Sequence, residues 1–214
     1  VVHFSIRLLV VVALAVGIGK LLWDAYNGAP LRTAALSAMV VAMVALGVLE
    51  YRAQAAEMRL GRVASEIAHR DVTVRCQGLL GAFTDIGSHL GYVEFDARGN
   101  PTDTAHISRD ACGWLKDYSG GNHAVNLHNA LGVHTLAHES LHLQGTLNEA
   151  RAECYGLQQM DRVGELLGAD PEGAHRLAVF AWRVIYPRLP DAYRSPNCRE
   201  GGPWDLDRRS TRWP

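Results

Sequence analysis

Two apolar runs within the first 50 residues constrain this chain more than any other feature, because so few environments accept them. Residues 8–19 carry no charged or strongly polar side chain and are closed by Arg7 and Lys20. A helix of that length covers about 18 Å, short of a hydrocarbon core of about 30 Å. If Arg7 and Lys20 reach outward along their apolar stems, residues 4–23 are long enough to span, and Trp23 and Tyr26 suit the interface. The second run, residues 34–49, extends to 31–51 with Arg32 at its edge. Between the two lies a turn-rich stretch containing Gly28 and Pro30. The pattern predicts a transmembrane helical hairpin over residues 1–52, a helical stalk over 53–70 and a soluble domain over 71–214. Two other readings fit in part: a signal peptide, although no small-x-small cleavage site follows the first run, and a buried helix pair in a soluble bundle.

The expected partners follow from the distribution of charge. The 214 residues are 20% charged with a net charge of -1, and the arginines are scattered. That gives no basic surface and argues against nucleic acid, leaving the lipid bilayer as the first expected partner. Arg7, Arg52, Arg59 and Arg62 flank the outer ends of the hairpin and Lys20 and Arg32 its turn, which favours both ends in the cytoplasm. The cysteines argue the other way. Cys76, Cys112, Cys154 and Cys198 are an even set outside the hairpin with no C-x-x-C pair, as expected of two disulfides in an oxidising compartment. The expected location is the cell membrane with the soluble domain outside the cytoplasm. Three pairings are open to four cysteines, and four unpaired buried thiols remain an alternative.

The chemistry concentrates in His138-Glu139-Ser140-Leu141-His142. On a helix, residues four apart share a face, so His138 and His142 stand one turn apart at chelating distance. Glu139 borders that face and is placed to act on water. Two imidazoles and a neighbouring carboxylate are the parts of a hydrolytic zinc site. Gly145 is a helix stop, and Thr146 or Asn148 starts a second helix running to about Gly168. A tight reversal would turn Glu149 and Glu153, four apart, toward the histidines. Glu149 is then the third ligand, and Glu153 accepts the free N–H of a liganded histidine. His123, His128 and His134 lie nearby; polar surface is the plainer reading for them, although His134, one turn before His138, could contribute to the wall of the site. Tyr155, Tyr193, Arg151 and His128 are candidates for steadying an oxyanion.

The remaining elements are read from periodicity and turn chemistry. Residues 72–76 and 91–95 alternate as strands do, and residues 125–128 read as a short edge strand leading into the histidine helix. Ser108 caps a short helix. Asp170 and Pro171 open a helix bearing Leu177, Phe180 and Trp182, ended by Pro187 and Pro190, and Cys198 is placed to tie the tail back to the domain. The expected class is α+β: helix-rich with a short sheet, preceded by the hairpin.

With these residues in place, His138-Glu139-x-x-His142 followed by Asn148-Glu149 and Glu153 resembles the gluzincin metallopeptidases, and most nearly their short-spacer members, the minigluzincins. The resemblance covers residues 134–155. It implies a small zincin-like domain with an edge strand that aligns a peptide substrate, Zn2+ held by His138, His142 and Glu149, Glu139 as general base, and Glu153 behind the ligands. The spacing from His142 to Glu149 is shorter than in larger gluzincins, and no further domain supplies their oxyanion-binding group. Residues 193–202, together with the hairpin, are also similar to uncharacterised bacterial membrane proteins, a likeness that implies no function. The expectation is a membrane-anchored zinc metallopeptidase. The alternatives are a non-catalytic zinc-binding membrane protein with a structural, sensing or partner-binding role, and a membrane scaffold whose histidines are incidental.

Overall fold

A computed structural model describes residues 6–30, 32–77, 90–210 and 212–214; positions 4 and 31, at the edges of the expected spans, lie outside them. The chain forms two compact units, Val1–Ala56 and Glu57–Pro214.

The first unit consists of α1 (Ile6–Tyr26) and the amino-terminal part of α2 (Thr33–Ala68). Both helices are long and apolar enough to cross a membrane, with none of their most apolar windows buried in protein. Val12, Val16, Val41 and Val44 are all exposed. A soluble bundle would hide such side chains, so the packing gives no support to the buried-pair alternative. The Met39 methyl fills the space a Cβ at Gly17 would need, so the two helices touch there.

In the second unit the last turns of α2 bury Leu60, Val63, Ala64 and Ile67 in the main core. The segment expected to be a stalk therefore contributes one apolar face to the folded domain. Strands β1 (Thr73–Cys76), β2 (Gly91–Phe95) and β3 (Pro101–Ile107) form a sheet in the order β1-β3-β2, with β1 parallel and β2 antiparallel to β3. The β2–β3 turn is held by Asp96, whose carboxylate accepts from the Arg98 and Asn100 amides, and Gly99 supplies a φ of 79°. Strand β3 opens on the polar run Thr102, Asp103 and Thr104, and only Ala105 and Ile107 alternate inward, too short a pattern to mark a strand in the sequence; it is central because it pairs on both edges.

Helices α3 (Arg109–Ser119), α4 (Leu127–Leu143), α5 (Glu149–Leu166) and α6 (Pro171–Val184) begin at Ser108, Asn126, Asn148 and Asp170, each side chain accepting from an amide of the first turn. The edge strand expected at residues 125–128 does not form. Asn126 caps α4 instead, and Asn129 donates to the carbonyls of Asn122 and Ala124, holding the approach as a loop. Capping overrode a four-residue alternation. Helix α4 packs against α3, α5, α6, β2 and β3. It is buried almost continuously from Asn129 to Leu143, so its apolar residues surround it rather than forming a stripe.

Disulfides join Cys76 to Cys112 and Cys154 to Cys198. The second ties the carboxy-terminal tail to α5, where Gln158 donates to the Trp204 carbonyl and accepts from the Leu206 amide. Its sequence separation is 44 residues. Loop-closure entropy for such a loop corresponds to about 4 kcal/mol. Urea unfolding of the full chain in detergent with Cys154 and Cys198 both changed to serine is expected to show a loss of that order, and a loss below about 1 kcal/mol would mean the tail contacts hold without the bridge.

Candidate metal centre

The site is built where α4 ends and α5 begins. Gly145, at φ 107°, reverses the chain; its amide bonds to the His142 carbonyl and that of Thr146 to the Leu141 carbonyl, a Schellman closure. Asn148 then opens α5 at once, placing Glu149 in its first turn. Farther along, Gly156 lets α5 press against α4: a Cβ there would stand 3.2 Å from the backbone N and Cα of His138. A larger residue would push α5, and with it Glu149 and Glu153, away from the histidines.

Three acceptor atoms converge as a result. Nε2 of His138 and Nε2 of His142 are 2.9 Å apart, and Glu149 Oε2 lies 3.3 Å from the first and 3.2 Å from the second. His142 Nδ1 sits 2.6 Å from the Thr146 carbonyl oxygen, which can only accept, so that nitrogen carries the proton. His138 Nδ1 faces Glu153 Oε2 at 3.1 Å, which keeps its proton on that side as well. In the neutral tautomers both Nε2 atoms therefore present lone pairs to each other and to a carboxylate. Such a cluster favours a positive charge at its centre, whether a proton or a metal ion, and the three residues form a group that could hold a metal ion.

The same demand shows in the proton affinities without metal. Burial opposes charge on His138, but contact with Glu149 and Glu153 and the nearby Glu139 outweigh it, pushing its pKa up to about 10. Contact with His138 and His142 holds Glu149 well below the usual carboxylate range. Glu153, despite burial that works against its charge, is held at about 2 by His134 and His138. In the metal-free protein, charge on His138 stabilises the fold fully below its unfolded value of about 6.5, and this contribution fades as pH rises through about 10. A metal ion at pH 7 must displace that proton. Binding is expected to release about one proton per ion and to strengthen about tenfold per pH unit between about 7 and 9. Calorimetry in buffers of different ionisation enthalpy measures the release, and a buffer-independent enthalpy would contradict it.

Glu139 stands beside this group and is buried, 4% exposed. Among the described residues its Oε2 has no hydrogen-bond partner. Burial raises its pKa, with His138 and His142 working against the rise. Strand β2 passes close to it: a Cβ at Gly91 would lie 2.8 Å from Glu139 Oε1. Glycine at 91 is what lets the strand approach the carboxylate.

A cleft of about 430 Å³ opens over the centre, lined by β2 from Gly91 to Val93, by α4 and by Ile185, Leu189 and Tyr193. Among the oxyanion candidates, Tyr193 is in this cleft, its ring centroid 6.2 Å from that of His138, with a hydroxyl pKa raised by burial and by Glu149, Glu139 and Glu153. His134 also lines it. His128 stacks on Trp114 at 4.9 Å, Tyr155 packs against the core, and Arg151 lies over the Trp204 ring, all three outside the cleft lining. Sequence reasoning missed Gly91, Gly156 and the Thr146 carbonyl, whose roles arise only from contacts between elements. No known protein family, curated protein or solved structure matches this chain, so the functional reading rests on the geometry of its own residues.

Proposed function

We propose that this chain is a membrane-anchored zinc-dependent peptidase in which His138, His142 and Glu149 hold the ion and Glu139 is the general base. The buried Oε2 of Glu139, without a hydrogen-bond partner among the described residues and beside the converging ligand atoms, carries this reading. A metal serving structure alone has no use for a carboxylate at its side that makes no hydrogen bond, which burial makes expensive to keep. The separations of 2.9, 3.2 and 3.3 Å lie close to the edge of about 3.3 Å in a tetrahedron with zinc bonds of about 2.0–2.1 Å, and two imidazoles with one carboxylate leave a position open. The two apolar helices and the two disulfides support a membrane or secretory location.

Zinc bound here would acidify a water molecule and polarise a carbonyl group. Glu139, with a proton affinity raised by its surroundings, takes the proton from the attacking water and later returns it to the leaving amine. Glu153 orients His138, and the Thr146 carbonyl orients His142. The Tyr193 hydroxyl, protonated at neutral pH, is a donor in the cleft available to a developing oxyanion. Along β2, whose one strand neighbour among the described residues is β3, an extended peptide could lie against the cleft.

The test is zinc content of the full chain in detergent together with digestion of a mixed peptide library. One zinc per chain and cleavage that stops on chelation and returns with zinc would support the proposal. Bound zinc without cleavage would assign the site a structural, sensing or partner-binding role, and absence of zinc would remove both metal readings.

A further inference from the structure

The metal group is part of a longer pattern. On α4, His134, His138 and His142 follow at four-residue steps; on α5, Glu149 and Glu153 do the same. Each acid lies between two histidines: Glu149 Oε2 is 3.2 Å from His142 and 3.3 Å from His138, while Glu153 places Oε2 at 3.1 Å from His138 Nδ1 and Oε1 at 2.8 Å from His134 Nε2. The next step along α5 is Leu157, apolar and buried, so the ladder ends at His134.

Glu153 is 2% exposed, and its ion-pair partners among the described residues are these two histidines. Both are close polar contacts whose geometry falls short of a well-aligned hydrogen bond. A carboxylate can only accept, so a donor is needed at each oxygen. Without His134, Oε1 would be buried with no polar neighbour among the described residues, and the group would be free to turn. That turn loosens its hold on His138 Nδ1, and with it the tautomer that aims Nε2 at the metal.

We infer that His134 is a positioning residue of the metal centre, acting through Glu153 to fix His138 and so setting how tightly the ion is held. The inference rests on the metal reading of the site but not on peptidase activity, and its test reads the metal alone.

Zinc affinity is measured on the full chain by competition with a chromophoric chelator, and the site's symmetry by the visible absorption of bound cobalt(II). His134→Ala is expected to weaken zinc binding about tenfold or more, in the range of about 10–100-fold typical of outer partners, and to alter the cobalt bands. His134→Gln, which keeps an N–H donor, should recover most of the affinity, whereas His134→Leu, which keeps bulk without a donor, should not. With Glu153→Ala already in place, His134→Ala should change nothing further. Wild-type affinity in the alanine variant, equal behaviour of the glutamine and leucine variants, or additive losses with Glu153→Ala would each overturn the inference. If the alanine variant does not fold, the glutamine–leucine comparison decides it. Absence of metal from the wild-type chain would overturn it along with the metal reading, and that outcome is distinguished by appearing before any substitution.

Discussion

Glu139→Gln is expected to lower peptide hydrolysis by about 10²–10⁴-fold while zinc content stays at the wild-type level. The amide is nearly isosteric, and among the described residues Oε2 has no hydrogen-bond partner to lose in the exchange. What it loses is the capacity to take a proton. Because a buried charge is replaced by a neutral group, the fold should be as stable as before or slightly more so. Hydrolysis, zinc content and thermal unfolding measured on one preparation separate the base role from damage to the fold. Undiminished hydrolysis in this variant would sink the mechanism.

Glu149→Ala is expected to act in the opposite way, removing the metal and through it everything else. Its loss should weaken zinc binding by more than the 10–100-fold or so typical of an outer partner, since it takes away one of three donors. The direct effect on α5 is small: an acid in a first turn contributes about 0.3–1 kcal/mol. The wild-type chain should gain about 4 kcal/mol of stability at a thousandfold excess of zinc over its Kd, and the variant should gain little under the same conditions. Thermal unfolding with and without zinc measures the difference. An equal gain in both would place the ion elsewhere.

What the sequence disclosed is what short-range geometry controls. His138 and His142 share a face by helical period alone, and Gly145 with Asn148 marks a reversal short enough to bring Glu149 and Glu153 back. Features that depend on distant parts were closed to it. The partner of His134 is set by how α5 crosses α4, and that crossing by Gly156, a glycine with no local signature. Strand β3 opens on polar residues, and its central place depends on pairing with a strand distant in sequence, as Thr73 pairs with Thr104, 31 positions away. The disulfide partners were open among three choices until the fold brought Cys76 to Cys112. Where local signals competed, at residues 125–128, the capping side chain of Asn126 prevailed over alternation.

The bond from Cys154 to Cys198 has a mechanical consequence for the centre it adjoins. Glu153 and Cys154 are successive on α5 and so project about 100° apart, one toward the histidines and the other toward the tail. A helix free to roll about its axis by about 10° would carry a side-chain tip about 1 Å, given a radius of about 5–6 Å. A displacement of that size at a reacting centre can change a rate about a hundredfold. Pinned on one flank by a covalent link and seated on the other against the backbone of His138 at Gly156, α5 is denied that roll. The tail thereby works as a torsion brake, keeping two carboxylates in register with three imidazoles.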